Sequence, residues 1–160
     1  MAGRSTKVAG TKAAAAQRLT YAMRDVLIAY KAVLEESVRP YGLTLPQLRL
    51  LHAVAKRQDV SSATIARECH VTPQTLQAML TRAVREGWIV REKSESNQRI
   101  LTAALTPRGR RLLDRGEQFA RKIEERIWKD VPRKALNDVA EMLEHGAGRV
   151  EELEHRLNGR

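Results

Sequence analysis

The chain is poor in cysteine and in aromatic residues. Its single cysteine, Cys69, cannot form a disulfide within the chain, a usage typical of the reducing cytoplasm. Aromatic residues make up 4% of the sequence, which argues against proteins that stack single-stranded bases on aromatic platforms. No apolar run approaches the ~20 residues of a membrane span, and the basic N-terminus lacks the apolar segment of a secretory signal. We therefore expect a cytoplasmic protein with no membrane partner.

Acidic residues are also scarce relative to basic ones. The 160 residues include 29 Lys and Arg but only 19 Asp and Glu, which gives a formal net charge of +10. Such an excess favours a polyanionic partner, because each phosphate that the protein neutralises releases condensed counterions. Charge alone leaves DNA, RNA and an anionic membrane open as partners. The length suits one domain, or one domain with a helical extension.

No catalytic constellation stands out in the sequence. A nucleophile–base pair, a Gly-rich phosphate loop and a carboxylate dyad are all lacking. The pairs Glu141/His145 and Glu151/His155 have the i,i+4 spacing that could chelate a metal, but no cysteine or further histidine completes either site. We expect a protein that is not an enzyme and that holds neither a metal nor a cofactor.

The N-terminal part of the sequence predicts an arm and two helices. Residues 1–12 combine Arg and Lys with Gly, Ser and Thr, which predicts a flexible basic arm. Apolar residues at a period of 3.6 predict a first helix over 13–39. Thr44, with Gln47 three residues later, has the spacing of a capping box for a second helix over 45–56.

Two short helices joined by a tight turn then predict a helix-turn-helix. Ser61 is the predicted cap of the first, which runs to about Cys69, and Thr72 is the cap of the second, which runs to Glu86 and ends at Gly87. The predicted apolar face of the second helix consists of Leu76, Leu80, Ala83 and Val84. Its outward face consists of Gln74, Gln77, Ala78, Thr81 and Arg85, with Arg82 at the edge. Gln, Thr and Arg hydrogen bond base edges and phosphates, so this helix is predicted to enter the major groove of duplex DNA.

A β-hairpin follows, and it is the predicted wing. Trp88–Val90 and Ile100–Leu105 read as its strands, with a polar connection between them. This connection ends at Arg99, a side chain that suits the negative potential of a narrow minor groove. Arg91 and Lys93 add further positive charge to the hairpin, and Glu92 and Glu95 offset part of it.

Two further helices complete the predicted chain. Pro107 opens a fifth helix to about Val131, and Pro132 opens a sixth. The apolar seam of the sixth consists of Leu136, Val139, Leu143, Gly146, Val150, Leu153 and Leu157. These positions alternate steps of three and four, as in the a/d seam of a coiled coil, and a terminal helix with such a seam needs a partner. We predict a homodimer whose helical dimerisation region, 13–42 and 107–160, flanks a DNA-binding domain over 43–106.

The stretch from Val60 to Gly109 resembles the winged-helix core of the multiple antibiotic resistance regulator (MarR) family. The shared motifs are Ile65-Ala66, Val71-Thr72-Pro73, Gly87 before an apolar strand, Leu105-Thr106-Pro107-x-Gly109 and, upstream, Leu43-Thr44-x-x-Gln47. With the flanking helices, the resemblance covers nearly the whole chain. It implies a mainly α fold with a small β-hairpin wing, in which a winged helix-turn-helix joins a helical dimerisation region.

Some family positions differ in this chain. Relatives often carry Arg in place of Ala78, Asp in place of Thr81, and Asp-Arg-Arg at 97–99, of which only Arg99 is kept here. The residues by which relatives usually recognise bases are therefore only partly present in this chain. The amide of Gln77 could instead recognise adenine, because it can hydrogen bond adenine N6 and N7. The predicted DNA contacts are Ser61, Thr72, Gln74, Thr75, Gln77, Thr81, Arg82, Arg85, Lys93 and Arg99.

The resemblance also implies a mode of regulation. A dimer would occupy a pseudo-palindromic operator, block polymerase, and be released by a phenolic or aromatic-acid ligand. Relatives bind such ligands in a cleft, where Arg49 and His52 could hold a carboxylate beside Tyr30. Some relatives sense oxidants through a thiol, but Cys69 matches an apolar core position, which favours an inert buried side chain. The alternatives are a regulator that is ligand-independent or redox-responsive, and an architectural protein that coats DNA with low specificity.

Overall fold

The structure, a computed structural model, describes residues 10–56, 59–60, 62–93 and 101–158. The helices are α1 (Lys12–Val38), α2 (Leu45–Lys56), α3 (Ser62–Cys69), α4 (Pro73–Arg85), α5 (Pro107–Trp128) and α6 (Arg133–Asn158). The strands are β1 (Asp59–Val60), β2 (Ile89–Lys93) and β3 (Leu101–Leu105), and a 3-10 turn over Arg39–Tyr41 follows α1. The predicted fold class, mainly α with a small β-hairpin wing, is confirmed.

The sheet has one strand more than the sequence predicts. Its order is β1-β3-β2, and both pairs are antiparallel. The predicted hairpin is present, with Ile89 opposite Leu105 and Lys93 opposite Leu101, so β2 begins one residue later and extends three residues further than predicted. Strand β1 pairs Val60 with Leu101. A two-residue strand is too short to show alternation, and only its pairing with β3 identifies it.

Two helix boundaries differ from prediction. Helix α1 begins at Lys12, and its N-cap is Thr11, whose hydroxyl accepts a hydrogen bond from the backbone of Ala14 at 3.2 Å. The arm predicted over 1–12 is therefore too long, and residues 1–9 lie outside the described residues. Helix α5 ends at Trp128 rather than near Val131. Val131 precedes a proline, and the proline ring disfavours the α conformation at the preceding residue.

The start of α2 is fixed by a capping box, as predicted. The backbone N–H of Thr44 donates to Oε1 of Gln47 at 3.0 Å, and the backbone N of Gln47 lies 3.5 Å from Oγ1 of Thr44. Gln47 is a buried polar side chain, and the box gives its side-chain carbonyl a hydrogen-bond partner. Oε2 of Glu35 accepts from the backbone N–H of Leu45 at 2.8 Å, which fastens the end of α1 to the start of α2.

One apolar core unites α2, α3, α4 and the wing with the end of α1 and the first half of α5. Its largest fully buried side chains are Val38, Leu50, Leu51, Cys69, Leu76, Leu80, Ile89 and Leu113. The chain forms two compact units, one up to Ile123 and one from Glu124 onward. The assignment of 13–42 and 107–160 to dimerisation stays a prediction.

Helix α6 is continuous through its two glycines, and none of its side chains described by the structure is buried. Val139, Val150, Leu153 and Leu157 of the predicted seam are exposed, whereas Leu136 and Leu143 are half-buried. The predicted seam is thus present as an apolar face of α6, and most of this face is exposed to solvent in the single chain.

Candidate nucleic-acid interface

Helix α4 has one buried and one exposed face. Leu76, Met79, Leu80 and Ala83 are buried in the core. Gln74, Thr75, Gln77, Ala78, Thr81, Arg82 and Arg85 are all exposed. The predicted polar face is therefore present on the helix. One residue of the predicted apolar face was misplaced, because Val84 is 40% exposed and Met79 takes the fourth core position.

Both ends of the turn between α3 and α4 are fixed by local hydrogen bonds. At the end of α3, His70 N–H donates to the carbonyl of Arg67 and Val71 N–H donates to that of Ala66, each at 3.0 Å. This is a Schellman motif, and His70 occupies its left-handed position with φ of +54°. Sequence reasoning placed a tight connection here but missed the motif, because that position usually holds glycine.

The start of α4 is capped by Thr72, as predicted. Its Oγ1 accepts from the backbone N–H of Thr75 at 3.1 Å and lies 2.9 Å from Oγ1 of Thr75. Pro73 occupies the first helical position, where the missing N–H has no cost. The hydroxyls of Thr72 and Thr75 therefore bond to each other, and both residues remain exposed where a phosphate could approach the helix N-terminus.

The end of α4 is tied to the base of the wing. Gly87, with φ of +67°, ends α4 in a second Schellman motif, in which Trp88 N–H donates to the carbonyl of Ala83 at 2.8 Å. The hydroxyl of Thr106 donates to the carbonyl of Gly87 at 2.6 Å and accepts from Gly109 N–H at 3.0 Å. A side chain at Gly109 would collide with the carbonyl of Trp88. The Leu105-Thr106-Pro107-x-Gly109 motif thus holds the first turn of α5 against the segment that joins α4 to the wing.

The cations of this surface differ in their neighbours. Arg85 lies in the last turn of α4, with Nη2 3.7 Å from Oε1 of Glu86, a weak exposed pair that a phosphate could displace. Arg82 is exposed on the same turn. Ser61 and Arg99 lie outside the described residues, as does the side chain of Lys93, so their predicted DNA contacts stay predictions.

The predicted effector residues lie on α1 and α2. Tyr30 and Arg49 are half-buried, and His52 is exposed. Nδ1 of His52 lies 3.3 Å from Oε1 of Glu117 on α5, a residue that sequence reasoning missed. Oε2 of Glu117 lies 3.8 Å from Nη1 of Arg121. The Glu117–Arg121 pair has visible i,i+4 spacing, but the contact with His52 depends on packing between distant segments. A carboxylate of the chain itself therefore already lies beside His52.

Comparison with known proteins identifies a family and solved structures that share this architecture. The model of the MarR family matches residues 41–100. The chain is 32% identical over 126 residues to the HTH-type transcriptional repressor Rv2887 of Mycobacterium tuberculosis, an alignment that covers 79% of this chain and 91% of that protein. The chain belongs to the MarR family.

Two solved structures of Rv2887 share this fold. Its complex with salicylic acid has a TM-score of 0.64 and 31% identity, over 79% of this chain and 94% of the other. Its complex with DNA has a TM-score of 0.64 and 28% identity, over 79% of this chain and 95% of the other. MarR family members are transcription regulators rather than enzymes, and this chain is a DNA-binding transcription regulator of that family.

Cys69, the redox candidate of the sequence analysis, is deeply buried. Cys69 is 1% exposed at the end of α3, and burial raises the pKa of its thiol, an effect that Arg49 partly opposes and Glu68 reinforces. Thiols react as thiolates, so this environment favours an unreactive core side chain. Among the described residues, no three His, Cys, Asp or Glu side chains gather in a way that could hold a metal ion. No helix there is long and apolar enough to span a bilayer.

Proposed function

We propose that this chain is a dimeric transcriptional repressor that inserts two copies of α4 into successive major grooves of a pseudo-palindromic operator. The observation that carries the proposal is the exposed face of α4. It presents amides, hydroxyls and guanidinium groups, while the opposite face is buried in the core. Hydrogen bonds at both ends hold the helix, so its side chains are presented on a rigid element.

The charge of the chain supports binding to duplex DNA. The formal net charge of +10 is in keeping with a protein that neutralises several phosphates at once. Arg82, Arg85 and the capped start of α4 would contact the two sugar–phosphate backbones, and the amides of Gln74 and Gln77 would contact base edges.

The exposed apolar face of α6 and the exposed apolar residues of α1 support a dimer. On α1 these are Leu19, Tyr21, Met23, Val26, Leu27, Ile28 and Val33. Large contiguous apolar surfaces on soluble proteins mark interaction sites. A two-fold dimer would place its recognition helices about 34–36 Å apart, one turn of B-DNA, which calls for an operator with inverted half-sites.

DNA selectivity is tested with duplexes recovered by selection from a random-sequence pool. Fluorescence anisotropy against a scrambled duplex of equal length should give a specificity ratio of about 10³ or more, and affinity should fall steeply with salt. Gln77→Ala should weaken binding to the selected duplex more than to the scrambled one. The matched variant Arg82→Ala should weaken both equally, because it removes a phosphate contact. A ratio near one for the wild type would instead identify an architectural protein.

We propose further that a small aromatic acid releases the dimer by binding at Arg49 and His52. Support comes from these two basic side chains on α2, and from the salicylic acid complex of Rv2887. The carboxylate of Glu117 beside His52 would compete with the acid. An effector acts only if it binds one state of the dimer better than the other, so the acid would favour the state that does not bind DNA.

The effector proposal is tested by titrating salicylic acid into the protein–operator complex. The acid should lower operator affinity, and His52→Ala should weaken this response. Glu117→Gln is the matched variant: it removes the competing charge at nearly constant size, so the response should occur at a lower acid concentration. If neither carboxylic acids nor phenols change operator affinity, the effector proposal is wrong while the DNA-binding proposal stands.

A further inference from the structure

The centre of the exposed face of α4 is nearly uncharged. Successive residues of a helix are rotated by about 100°, so Gln74, Ala78, Thr81 and Arg85 form the stripe opposite the buried residues. Gln77 lies on one side of this stripe and Arg82 on the other. The middle of the stripe, Ala78 and Thr81, is the part that would approach the base pairs most closely.

Ala78 restricts what that centre can read. Its side chain is a single methyl group and forms no hydrogen bond with any base edge. The only apolar group in the major groove is the C5 methyl of thymine. Ala78 is exposed and small, so the helix backbone can approach the bases closely at this position.

Thr81 presents a second methyl group next to the first. Its hydroxyl donates to the backbone carbonyl of Gln77 at 2.9 Å, so its proton is already committed within the helix. The hydroxyl oxygen can still accept a hydrogen bond, but the side chain has no proton left to donate, and its γ-methyl is the apolar group it offers to a base. Residues three apart on a helix have their Cβ atoms about 5–6 Å apart, so Ala78 and Thr81 form one two-methyl apolar spot.

The same face disfavours guanine at its centre. The major-groove edge of guanine carries two acceptors and is read by the paired donors of Arg or Lys. From Pro73 to Thr81, α4 has no basic residue. Its cations come in the last turn, where Arg82 is at the edge of the stripe and Arg85 lies 3.7 Å from Glu86.

We infer that α4 selects A·T pairs at the centre of each half-site, where the methyl groups of Ala78 and Thr81 contact thymine methyls and the Gln77 amide pairs with adenine. This inference rests on the proposed DNA-binding function and specifies what that function recognises. Burial of one methyl against another gives about a fourfold gain in affinity.

The test replaces thymine by deoxyuridine, which removes only the C5 methyl. Half-site thymines of the selected duplex are replaced one at a time, and affinity is measured with wild type, Thr81→Ser and Thr75→Ser. Wild type should lose about fourfold at a contacted thymine. Thr81→Ser keeps the hydroxyl and removes the methyl, so it should bind the thymine duplex about fourfold more weakly and show no further loss with deoxyuridine at the thymine that Thr81 contacts, while the loss at a thymine that Ala78 contacts should remain. Thr75→Ser removes a methyl that lies off the stripe, so whatever its effect on overall affinity, it should keep the wild-type ratio of affinities for the thymine and deoxyuridine duplexes.

The outcomes separate this inference from the proposed function. Strong selective binding with G·C pairs at the half-site centre, or a thymine-to-deoxyuridine ratio of one at every half-site position, overturns the inference while the DNA-binding function stands. If Thr81→Ser has the same thymine-to-deoxyuridine affinity ratios as the wild type at every half-site position, the proposed role of Thr81 is overturned. Failure of the wild type to bind any duplex overturns both. A methyl-dependent loss that disappears only in Thr81→Ser supports the inference.

Discussion

Helix α4 of the winged-helix core and helix α6 have similar periodic patterns of apolar residues, but these residues are buried in α4 and largely exposed in α6. In α4, four apolar side chains are buried, and three of them, Leu76, Leu80 and Ala83, have no exposed surface. In α6, residues of a regular seam such as Leu153 remain more than half exposed. A periodic apolar face predicts that a helix packs, but it does not say whether the partner lies in the same chain. The stability of α4 should therefore belong to the single chain, and that of α6 to an assembly.

The largest expected effect comes from truncating the core. Leu80→Ala should lower the free energy of unfolding by about 3 kcal/mol, because it removes buried surface and leaves a cavity. The measurement is urea denaturation at several protein concentrations, and this loss should not depend on concentration. Leu153→Ala is the matched variant on α6, and its effect should depend on protein concentration, as for an interface residue. A Leu153→Ala loss that is equal at all concentrations would argue that α6 packs only within its own chain.

Two glycines, one in the winged-helix core and one in α6, test the same comparison between the two regions. At Gly109 a methyl group would overlap the backbone carbonyl of Trp88, whereas at Gly148 of α6 it would meet nothing within 4 Å. Gly109→Ala should cost about 2 kcal/mol and shift the wing base, because a backbone atom cannot move aside as a side chain can. Gly148→Ala should stabilise the protein by up to about 1 kcal/mol through helix propensity. Thermal melts followed by circular dichroism measure both. A destabilising Gly148→Ala would instead indicate that a partner approaches α6 closely at this glycine.

A smaller difference is expected between two helix caps. Thr72 caps α4 and Thr11 caps α1, each through one side-chain hydrogen bond to the backbone. Thr72→Ala should cost about 1 kcal/mol of global stability, and Thr72→Ser should restore most of it. Thr11→Ala should cost much less, because none of the first 22 residues of α1 is buried and its first turns can fray without opening the core. Equal losses at the two caps would mean that the start of α1 is held by contacts beyond the single chain.

Local signals made much of this fold predictable. Thr44, Thr72 and Gly87 each set a helix boundary through chemistry within five residues, and the structure confirms all three. Two features that escaped prediction depend on pairing between distant segments, namely strand β1 and the contact of His52 with Glu117. The left-handed turn at His70 is local and escaped prediction because that position usually holds glycine. The amphipathic pattern of α4 was read correctly except at Val84 and Met79. These two residues lie on opposite edges of the buried stripe, where the helical period alone cannot decide burial.

The candidate site was predictable to the same extent. The exposed face of α4 followed from its sequence, since the residues opposite a buried stripe are fixed by the helical period. The hydrogen bond from the Thr81 hydroxyl to the carbonyl of Gln77 could not be predicted from the sequence. Thr side chains in helices adopt two rotamers, and these differ in whether this bond forms. That choice decides whether Thr81 has a hydroxyl proton free to donate to DNA.

The smallest effect concerns the thiol that the core encloses. Burial raises the pKa of Cys69 above its ordinary value of 9.0. Below about pH 9 the thiol is protonated in both the folded and the unfolded chain, so it adds no pH dependence there. Above that value the unfolded chain releases the proton while the folded chain retains it. The free energy of unfolding should therefore fall as pH rises through and beyond 9, and less so in Cys69→Ala.

The reactivity of the thiol extends the comparison to α6. In a Cys69→Ala background, Glu152→Cys places a thiol at an exposed position on the side of α6 opposite the seam. At pH 8, iodoacetamide should modify this new thiol faster than it modifies Cys69 in the wild type, by roughly tenfold for each unit by which burial raises the pKa of Cys69. Equal rates would show that α3 opens readily enough to expose its last residue. In that case, redox control through Cys69 would again be a competitor to control by an aromatic acid.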